Sequence, residues 1–237
     1  MRLPKTAVAA LLFLSAFAAA EEAPLFTDHT PATFRELEPA QQRIDPANID
    51  DALLAAAVFH ETNTRREQHE LPLLQHDPRV RAAATMQVEI LQERKVVEHD
   101  NPEQPEKATM QDRIRLTGLE PQFIAENLAT AFLLDYKPGE QVFTEIEGDK
   151  TIYRRELGGP AIEPHTYLSF AAMLLEQWMN SPNHRINILA PEAQYLGTAC
   201  RLAQDEQNMP IFYCGQVFFA PFPPGETPLL ATPSPTP

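Results

Sequence analysis

The stretch Glu-Gln-Trp-Met-Asn-Ser-Pro-Asn-His-Arg at residues 176–185 ends one predicted helix and begins another. The apolar residues around its start recur at the spacing of one buried helix face: Tyr167, Phe170, Ala171, Leu174, Leu175 and Trp178. Pro182 disfavours helical backbone at Ser181 and cannot donate to the helical ladder. The pair also fits the N-cap and first position of a new helix. We therefore predict a corner that places His184 in the first turn of the second helix.

The N-terminus, residues 1–20, has the pattern of a secretory signal peptide. Arg2 and Lys5 precede an apolar run that ends in small residues, so we expect cleavage after Ala20. The run is shorter than a membrane span, and no later segment is apolar enough to be one, although an uncleaved anchor is the alternative. The sequence thus predicts a secreted or periplasmic protein whose mature chain has no transmembrane segment.

The composition is acidic. The chain has 33 acidic and 19 basic residues, a formal net charge of −14, which becomes −16 when the two basic residues of the signal peptide are removed. Such a charge repels nucleic acid and anionic lipid, so we expect no nucleic-acid partner. The charge by itself identifies no cationic partner, and the sequence leaves the oligomeric state open.

The two cysteines, Cys200 and Cys214, are expected to form a disulfide. Residues 195–203 and 211–219 have the composition of strands, and a polar link joins them. The cysteines are symmetric about Gln207, so they would face each other across a hairpin. An oxidising compartment favours the bond, which would add about 3 kcal/mol by closing a short loop. Two buried free thiols are the alternative.

The rest of the pattern indicates an α+β protein. Residues 21–43 are predicted to be an extended lead-in, residues 44–220 one domain, and residues 221–237 a proline-rich disordered tail. The predicted elements within the domain follow in chain order: a helix from Ile49 to His69, one from Asp77-Pro78, one capped by Thr109 and Asp112 and ended by Gly118, a strand at Phe123–Ala129, and a β-hairpin near 141–156 around Gly148-Asp149.

Several motifs then occur in order. They are Asn63-x-Arg65-Arg66, Leu71-Pro-Leu-Leu-Gln-His-Asp-Pro78, His99, Ala125-Glu126-Asn127, Trp178-x-x-Ser181-Pro-Asn-His184-Arg185-x-Asn187-Ile-Leu189, and Tyr195-Leu-Gly197. This set resembles the CAP superfamily, or SCP-like domain, which groups cysteine-rich secretory proteins, antigen 5 and plant pathogenesis-related proteins. The bacterial branch of the superfamily is the closer match. The resemblance covers about residues 49–219.

The resemblance implies an α-β-α sandwich, with a small antiparallel sheet between helical layers. It also implies an open cleft lined by two histidines and two acidic residues. On this chain His99 matches the first histidine, Glu126 the glutamate of the Glu-Asn motif, and His184 the second histidine. The second acidic position falls on Ser181, as in bacterial members.

These cleft residues suggest more than one chemistry. His99, His184 and Glu126 are the donor types that would hold a divalent cation such as zinc with one open position. Without a metal, Glu126 would favour the charged form of an adjacent histidine. Glu126 and Ser181 are the candidate catalytic residues, as base and nucleophile. The competing interpretation of Ser181 is that its oxygen caps the following helix.

Other residues have mainly structural interpretations. Asn127 is expected to bind nearby backbone, and Trp178 to lie in the core. His99 follows a predicted helix end, where the helix dipole alone favours a histidine. His60-Glu61 lacks the second histidine of a zinc-protease motif, since Thr64 stands in its place.

Three functions follow from this sequence. The first is a secreted, non-catalytic binding module whose cleft takes a small apolar ligand such as a lipid, a peptide or a cell-envelope component. The second is a metal-dependent hydrolase or peptidase that uses His99, His184 and Glu126. The third is a polar cluster that only stabilises the fold. A fold by itself does not decide among them.

Overall fold

The computed structural model describes residues 22–137, 139–148 and 150–226. Its α-helices are α1 (Pro31–Phe34), α2 (Glu38–Gln41), α3 (Asp51–Gln68), α4 (Pro78–Arg94), α5 (Met110–Leu116), α6 (Tyr167–Met179) and α7 (Pro182–Ile188). Its strands are β1 (Gln75–His76), β2 (Pro121–Phe132), β3 (Phe143–Glu147), β4 (Lys150–Arg154), β5 (Tyr195–Gln204) and β6 (Pro210–Pro221). Residues 22–27 are also helical, and Pro105–Lys107 form a 3₁₀ turn. Within these ranges no helix has the length and apolarity needed to cross a membrane. The predicted signal peptide and residues 227–237 lie outside the described ranges.

The central sheet has the strand order β1-β5-β6-β2. Strands β5, β6 and β2 pair antiparallel, and the two-residue strand β1 adds a short parallel pair to β5. Strand β6 lies between β5 and β2 and is buried along nearly its whole length, because helices cover both faces of the sheet. Strand β2 therefore lies at an edge of the sheet.

Helices cover both faces of this sheet. On one face, α3 and α6 form the main core with residues of all three long strands, and Trp178 is fully buried there as predicted. On the other face, α4 and α5 pack against residues such as Val217 and Phe219. The predicted α+β fold, an α-β-α sandwich, is thus confirmed.

Alternation along β2 assigns its side chains to the two layers. Phe123 and Ala125 pack toward the α3 and α6 layer, whereas Ile124 and Leu128 pack toward α4 and α5. Glu126 lies between Ile124 and Leu128 in this alternation. Its side chain therefore belongs to the α4 and α5 layer, where a charged group needs a partner.

The predicted helix signals are present in the structure. The side chain of Asp77 accepts a backbone hydrogen bond at the start of α4. Asp50, for which no cap was predicted, does the same at the start of α3. Thr109 and Asp112 form the predicted capping box of α5. Gly118, just after α5, has φ of 79°, a left-handed conformation that favours glycine.

The extended conformation predicted for residues 21–43 is wrong over the described part of that segment. Residues 22–27, α1 and α2 are short helical pieces, and Phe26 and Phe34 are buried in the main core. A helix of one turn shows no repeating apolar period, so periodicity failed to reveal it. The sequence indicates the start of α1 only through local residues. Thr30 and Thr33 form a capping box, and Pro31 stands at the first helical position.

The segment near residues 141–156 contains a hairpin, and the C-terminal hairpin carries the disulfide. Strands β3 and β4 pair antiparallel as a separate two-stranded sheet. Across β5 and β6, Cys200 pairs directly with Cys214, and the two sulfurs are bonded. The predicted disulfide is confirmed.

Removing this disulfide should lower the free energy of unfolding. The bond closes a loop with a sequence separation of 14 residues, and both cysteines are buried. We expect the double substitution Cys200→Ala and Cys214→Ala to cost about 3 kcal/mol, because the unfolded chain gains conformational freedom. Urea unfolding measures the change, and reduction of the wild type should reproduce most of it. Equal stability of the oxidised and reduced wild type would contradict the prediction.

The N-terminal segment is attached to the domain through two histidines, His60 and His76. Phe34 stacks on His60 with 4.3 Å between ring centroids, and Phe26 stacks on His76 at 3.9 Å. His60 Nε2 lies 2.8 Å from the carbonyl oxygen of Leu25. Burial lowers the pKa of both His60 and His76 to about 4. Both imidazoles are therefore neutral over the pH range in which an ordinary histidine titrates.

Acid should consequently weaken the fold through His60. The pKa of its imidazole is about 4 in the folded protein and 6.5 for an ordinary, unperturbed histidine, so the unfolded chain takes up a proton first. The stability supplied by neutral His60 is complete above about pH 6.5 and is lost as the pH falls toward 4. The full loss is on the order of 3 kcal/mol.

Urea unfolding at several pH values tests this prediction. The variant His60→Gln, which does not titrate, should show a shallower loss of stability below pH 6.5 than the wild type. The variant His69→Gln is the control, because His69 is exposed at the end of α3. If both variants keep the wild-type slope, His60 is not the responsible group.

Candidate functional site

The edge strand β2 carries Glu126 and contacts the segments that hold His99 and His184. Helix α7 lies along this edge: Asn187 Nδ2 donates to the Glu126 carbonyl oxygen at 3.3 Å and to Asn127 Oδ1 at 2.9 Å. In return, Asn127 Nδ2 donates to the carbonyl oxygen of His184 at 3.1 Å. The corner between α6 and α7 is thereby fixed to β2. The predicted structural role of Asn127 agrees with these bonds.

Glu126 makes contacts on the opposite layer. Its side chain is buried, and His99 Nδ1 lies 2.8 Å from its Oε1. The site is therefore built from two layers, with His99 and Glu126 on the α4 and α5 side and His184 on α7. We call His99, Glu126, Ser181 and His184 the histidine site.

Arg113, which sequence reasoning missed, neutralises Glu126. Its Nη2 lies 3.0 Å from Glu126 Oε1 and 2.8 Å from Oε2, and both side chains are almost completely buried. Its Nη1 donates to the carbonyl oxygens of His99 and Lys107, each at 3.2 Å. Arg113 thus holds both the carboxylate and the loop that carries His99.

A signal for Arg113 was present in the sequence. Helix α5 places Met110, Arg113, Ile114 and Thr117 on one face, at the spacing of a buried stripe. A charged residue within an apolar stripe requires a buried partner of opposite charge. Glu126 on the next element is that partner, but the spacing alone does not identify it.

The two histidines have opposite pKa shifts. The hydrogen bond to Glu126 raises the pKa of His99, and the Glu126 charge adds to this effect. Burial lowers the pKa of His184, and the nearby His99 lowers it further. The imidazoles are therefore within electrostatic range of each other. The two shifts favour the charged form of His99 and the neutral form of His184.

Ser181 occupies the predicted N-cap position without the predicted bond. Its backbone is extended and Pro182 begins α7, as expected, but the serine side chain makes no capping hydrogen bond. Ser181 and His184 are three residues apart at the start of α7, a spacing that places two side chains on the same side of a helix. The hydroxyl of Ser181 is thus not used as a cap.

The site does not have the geometry of a metal centre. In the described part of the chain, no group of three or more His, Cys, Asp or Glu side chains is arranged to hold a metal ion. The physical reason lies in Glu126, whose two oxygens already contact Arg113 and His99. The predicted ligand set His99, Glu126 and His184 therefore does not fit zinc as these side chains stand.

The first stretch of the motif set, Asn63 to Arg66, has a structural role. Asn63 forms two hydrogen bonds with the backbone of Leu74. Arg66 is fully buried, and its Nη1 donates to the carbonyl oxygens of Ile188 and Ala190, both at 2.9 Å. Arg66 thereby secures the C-terminal end of α7 and, through it, the helix that carries His184.

An apolar groove of about 550 Å³ adjoins α7 on the other side of the edge strand. Phe123, Leu189 and Pro191 line it, together with the exposed residues Arg185 and Ile186. Phe123 packs toward the α3 and α6 layer, whereas Glu126 faces the opposite layer. The groove therefore does not include Glu126, although it begins at Arg185, directly after His184 on α7.

The family model described as the cysteine-rich secretory protein family, CAP, matches residues 59–218. A search of curated proteins finds no match.

Three solved structures are similar to this chain. An extracellular SCP-domain protein from Bacillus anthracis shares 21% identity over 75% of this chain and 44% of its own, with a TM-score of 0.49. An outer surface protein from Borrelia burgdorferi shares 16% over 69% of this chain and 90% of its own, with a TM-score of 0.44. A cysteine-rich secretory protein from Staphylococcus aureus shares 12% over 72% and 39%, with a TM-score of 0.40.

The chain spans less than half the length of the Bacillus and Staphylococcus proteins. The family match, in contrast, extends from the middle of α3 into the last strand, β6, and includes the whole histidine site. The chain therefore belongs to the cysteine-rich secretory protein (CAP) family.

Proposed function

We propose that this CAP protein is a secreted binding module, and that its ligand contacts His99 and His184. One observation carries the proposal: Glu126 is fully paired inside the protein, while the His99 side chain held by it remains 57% exposed. A buried ion pair that fixes an exposed imidazole is an arrangement that presents a group to a ligand.

The same observation argues against catalysis by Glu126. A general base must accept a proton from substrate or water, but both oxygens of Glu126 already accept hydrogen bonds. Releasing one would leave the Arg113 guanidinium buried without its partner, which is costly. The hydrolase alternative therefore receives no support from the site.

The purely structural alternative does not explain why the His99 side chain is exposed. Arg113 and Glu126 could stabilise the fold as a pair, and Arg113 bonds the loop backbone directly. Neither contact requires an exposed histidine at position 99. A ligand gives the exposed face of that imidazole a role.

Analysis of bound molecules tests the binding role. Untagged protein exported from its host cells should be extracted with organic and aqueous solvent, and the extracts compared by mass spectrometry. We expect a species that copurifies with the wild type and with His69→Ala but is lost from the double variant His99→Ala and His184→Ala. His69 is an exposed histidine outside the site and serves as the matched control. Identical extracts from all three proteins would contradict the proposal.

Zinc addition tests the hydrolase alternative. We expect zinc to raise the melting temperature of the wild type by no more than that of the double variant, because Glu126 is not free to bind a metal. Scanning calorimetry with and without excess zinc measures this difference. A zinc-dependent rise that vanishes in the double variant would restore the metal hypothesis.

Secretion itself is part of this proposal. The signal peptide pattern of residues 1–20 supports it, and so does the disulfide, which persists in oxidising compartments. N-terminal sequencing of the exported protein should begin at Glu21.

A further inference from the structure

We propose that the protein has a second binding site, a cavity beneath its N-terminal segment that takes a neutral aromatic molecule carrying a hydroxyl group. The cavity has a volume of about 330 Å³ and lies between the N-terminal segment, helix α3 and the loop that leads into β1. We call it the N-terminal cavity, and its lining includes Phe26, Phe59, His60, Leu73, Leu74 and His76. It shares no lining residue with the histidine site.

The walls of the N-terminal cavity are largely aromatic. Phe26 and Phe59 meet edge to face with 5.6 Å between ring centroids. Phe59 also contacts both imidazoles, with centroid distances of 5.2 Å to His60 and 6.0 Å to His76. One ring thus contacts the other three, so these side chains form a single cluster. An apolar cavity of roughly 150 Å³ already holds benzene, so this larger cavity has room for a substituted ring.

The two imidazoles supply the polar groups that a ligand can use. Within the described residues, the Nδ1 atoms of His60 and His76 are shielded from solvent and have no hydrogen-bond partner. His60 is only 2% exposed, and its Nε2 lies 2.8 Å from the carbonyl oxygen of Leu25. A carbonyl oxygen only accepts, so Nε2 carries the proton and the neutral ring keeps a lone pair on Nδ1. A buried acceptor without a partner is unfavourable, and a ligand hydroxyl can satisfy it.

Other polar side chains at the N-terminal cavity are already paired. Asn63 exchanges two hydrogen bonds with the backbone of the loop before β1. The hydroxyls of Thr27 and Thr30 form hydrogen bonds within the N-terminal segment. The Nδ1 of His60 accepts, whereas that of His76 accepts or donates according to its tautomer. A hydroxyl fits both nitrogens, because it can donate and accept.

The lining indicates a neutral organic ligand. Among the described residues that line the cavity there is no Asp, Glu, Lys or Arg. A charged ligand would therefore leave water without gaining a counter-charge, which is costly. The cavity also holds a third histidine, His29, but in the described part of the chain no three such side chains are arranged to hold a metal ion. These two observations favour an uncharged aromatic alcohol over an ion.

The N-terminal cavity depends on residues outside the family match. The matched region begins at Phe59, whereas Phe26 and the rest of the N-terminal segment precede it. Arg81 of α4 helps to hold this segment, since it pairs with Glu22 and its guanidinium lies 5.6 Å from the ring of Phe26. The cavity is therefore not a site that the family match itself implies.

Titration with phenol tests the proposal, and toluene is the matched probe without a hydroxyl. At about pH 7.5 both imidazoles are neutral. Phenol should shift the ring resonances of His60 and His76 saturably in histidine NMR, with a dissociation constant on the order of 1 mM. Toluene should bind about tenfold more weakly, because it leaves the nitrogens unpartnered. His60→Phe keeps an aromatic ring but removes the acceptor, and it should bind phenol no better than toluene.

Leu73 and Leu116 provide a matched pair of variants. Leu73 is 44% exposed and lines the cavity, whereas Leu116 is 52% exposed on α5 and does not. Leu73→Trp should fill part of the cavity and weaken phenol binding about tenfold or more, and Leu116→Trp should bind phenol as the wild type does. Leu73 is a partly exposed loop residue, so this pair tests the site even if His60→Phe does not fold.

Three outcomes would overturn the proposal. Equal affinity of the wild type for phenol and toluene would show that the buried nitrogens do not bind the hydroxyl. Shifts confined to His99 and His184 would place phenol at the histidine site instead. An unchanged histidine spectrum would show that the N-terminal cavity takes no aromatic alcohol.

Discussion

Replacing Arg113 by alanine is expected to lower the free energy of unfolding by about 3–5 kcal/mol at neutral pH. The substitution leaves Glu126 as a buried carboxylate whose remaining partner is His99. It also removes a hydrogen bond from the carbonyl oxygens of His99 and Lys107, of which the second keeps Asn101 Nδ2 as a donor. The cost arises mainly because an ionised group is left buried without its counter-charge. Urea unfolding measures the loss.

Arg115 provides the matched control on the same helix. It forms an exposed ion pair with Glu120, and such pairs contribute little to stability. Arg115→Ala should therefore have a small effect. The double variant Arg113→Leu with Glu126→Leu should lose less stability than Arg113→Ala, because no unpaired charge remains buried. Equal losses for Arg113→Ala and Arg115→Ala would show that the buried pair is not important for the fold.

Replacing Gly197 by alanine is expected to cost about 3 kcal/mol or more. Gly197 lies in β5 where α4 crosses the sheet, and an added Cβ would overlap backbone atoms of Val80 and Arg81. Backbone atoms cannot rotate away as a side chain does. The whole start of α4 would have to move away from β5, which would open the core between them.

Gly215 is the control for this substitution, because it lies on the neighbouring strand β6 and also faces α4. A Cβ at Gly215 would lie 3.0 Å from Val88 Cγ1 and 3.2 Å from Leu128 Cδ2, both side-chain atoms that can shift. We expect Gly215→Ala to cost clearly less than Gly197→Ala in urea unfolding. The reverse order would mean that α4 adjusts more easily than its side chains do.

The sequence predicted those parts of the fold in which apolar residues repeat at a regular spacing or two residues are placed symmetrically about a turn. The face of α6 up to Trp178 follows helical spacing over several turns, and Cys200 and Cys214 are symmetric about one turn. Short pieces such as α1 have no room for a repeat, so they were missed. Such short helices are indicated in the sequence by their capping residues, as at Thr30.

The sequence predicted the residues of the candidate site but not their electrostatics. His99 contacts Glu126, and Asn127 bonds the backbone of His184, whereas the ligand cleft that the family resemblance implied stays a prediction. The partner of Glu126 depends on which face of α5 meets which face of β2, and that is a tertiary contact. For the same reason the unused hydroxyl of Ser181 was not foreseen, since a favourable N-cap residue does not guarantee the bond.

The position of α7 against β2 has a consequence for solubility. An edge strand presents unpaired backbone carbonyls and amides that can pair with a strand of another molecule. Here Asn187 donates to the carbonyl of Glu126, and Gln177 donates to that of Thr130, so side chains occupy acceptors along the edge. The Asn187 contact that fixes α7 on β2 thus also hinders strand addition at this edge, together with Gln177 of α6. A variant that loosens α7 should therefore aggregate before it unfolds.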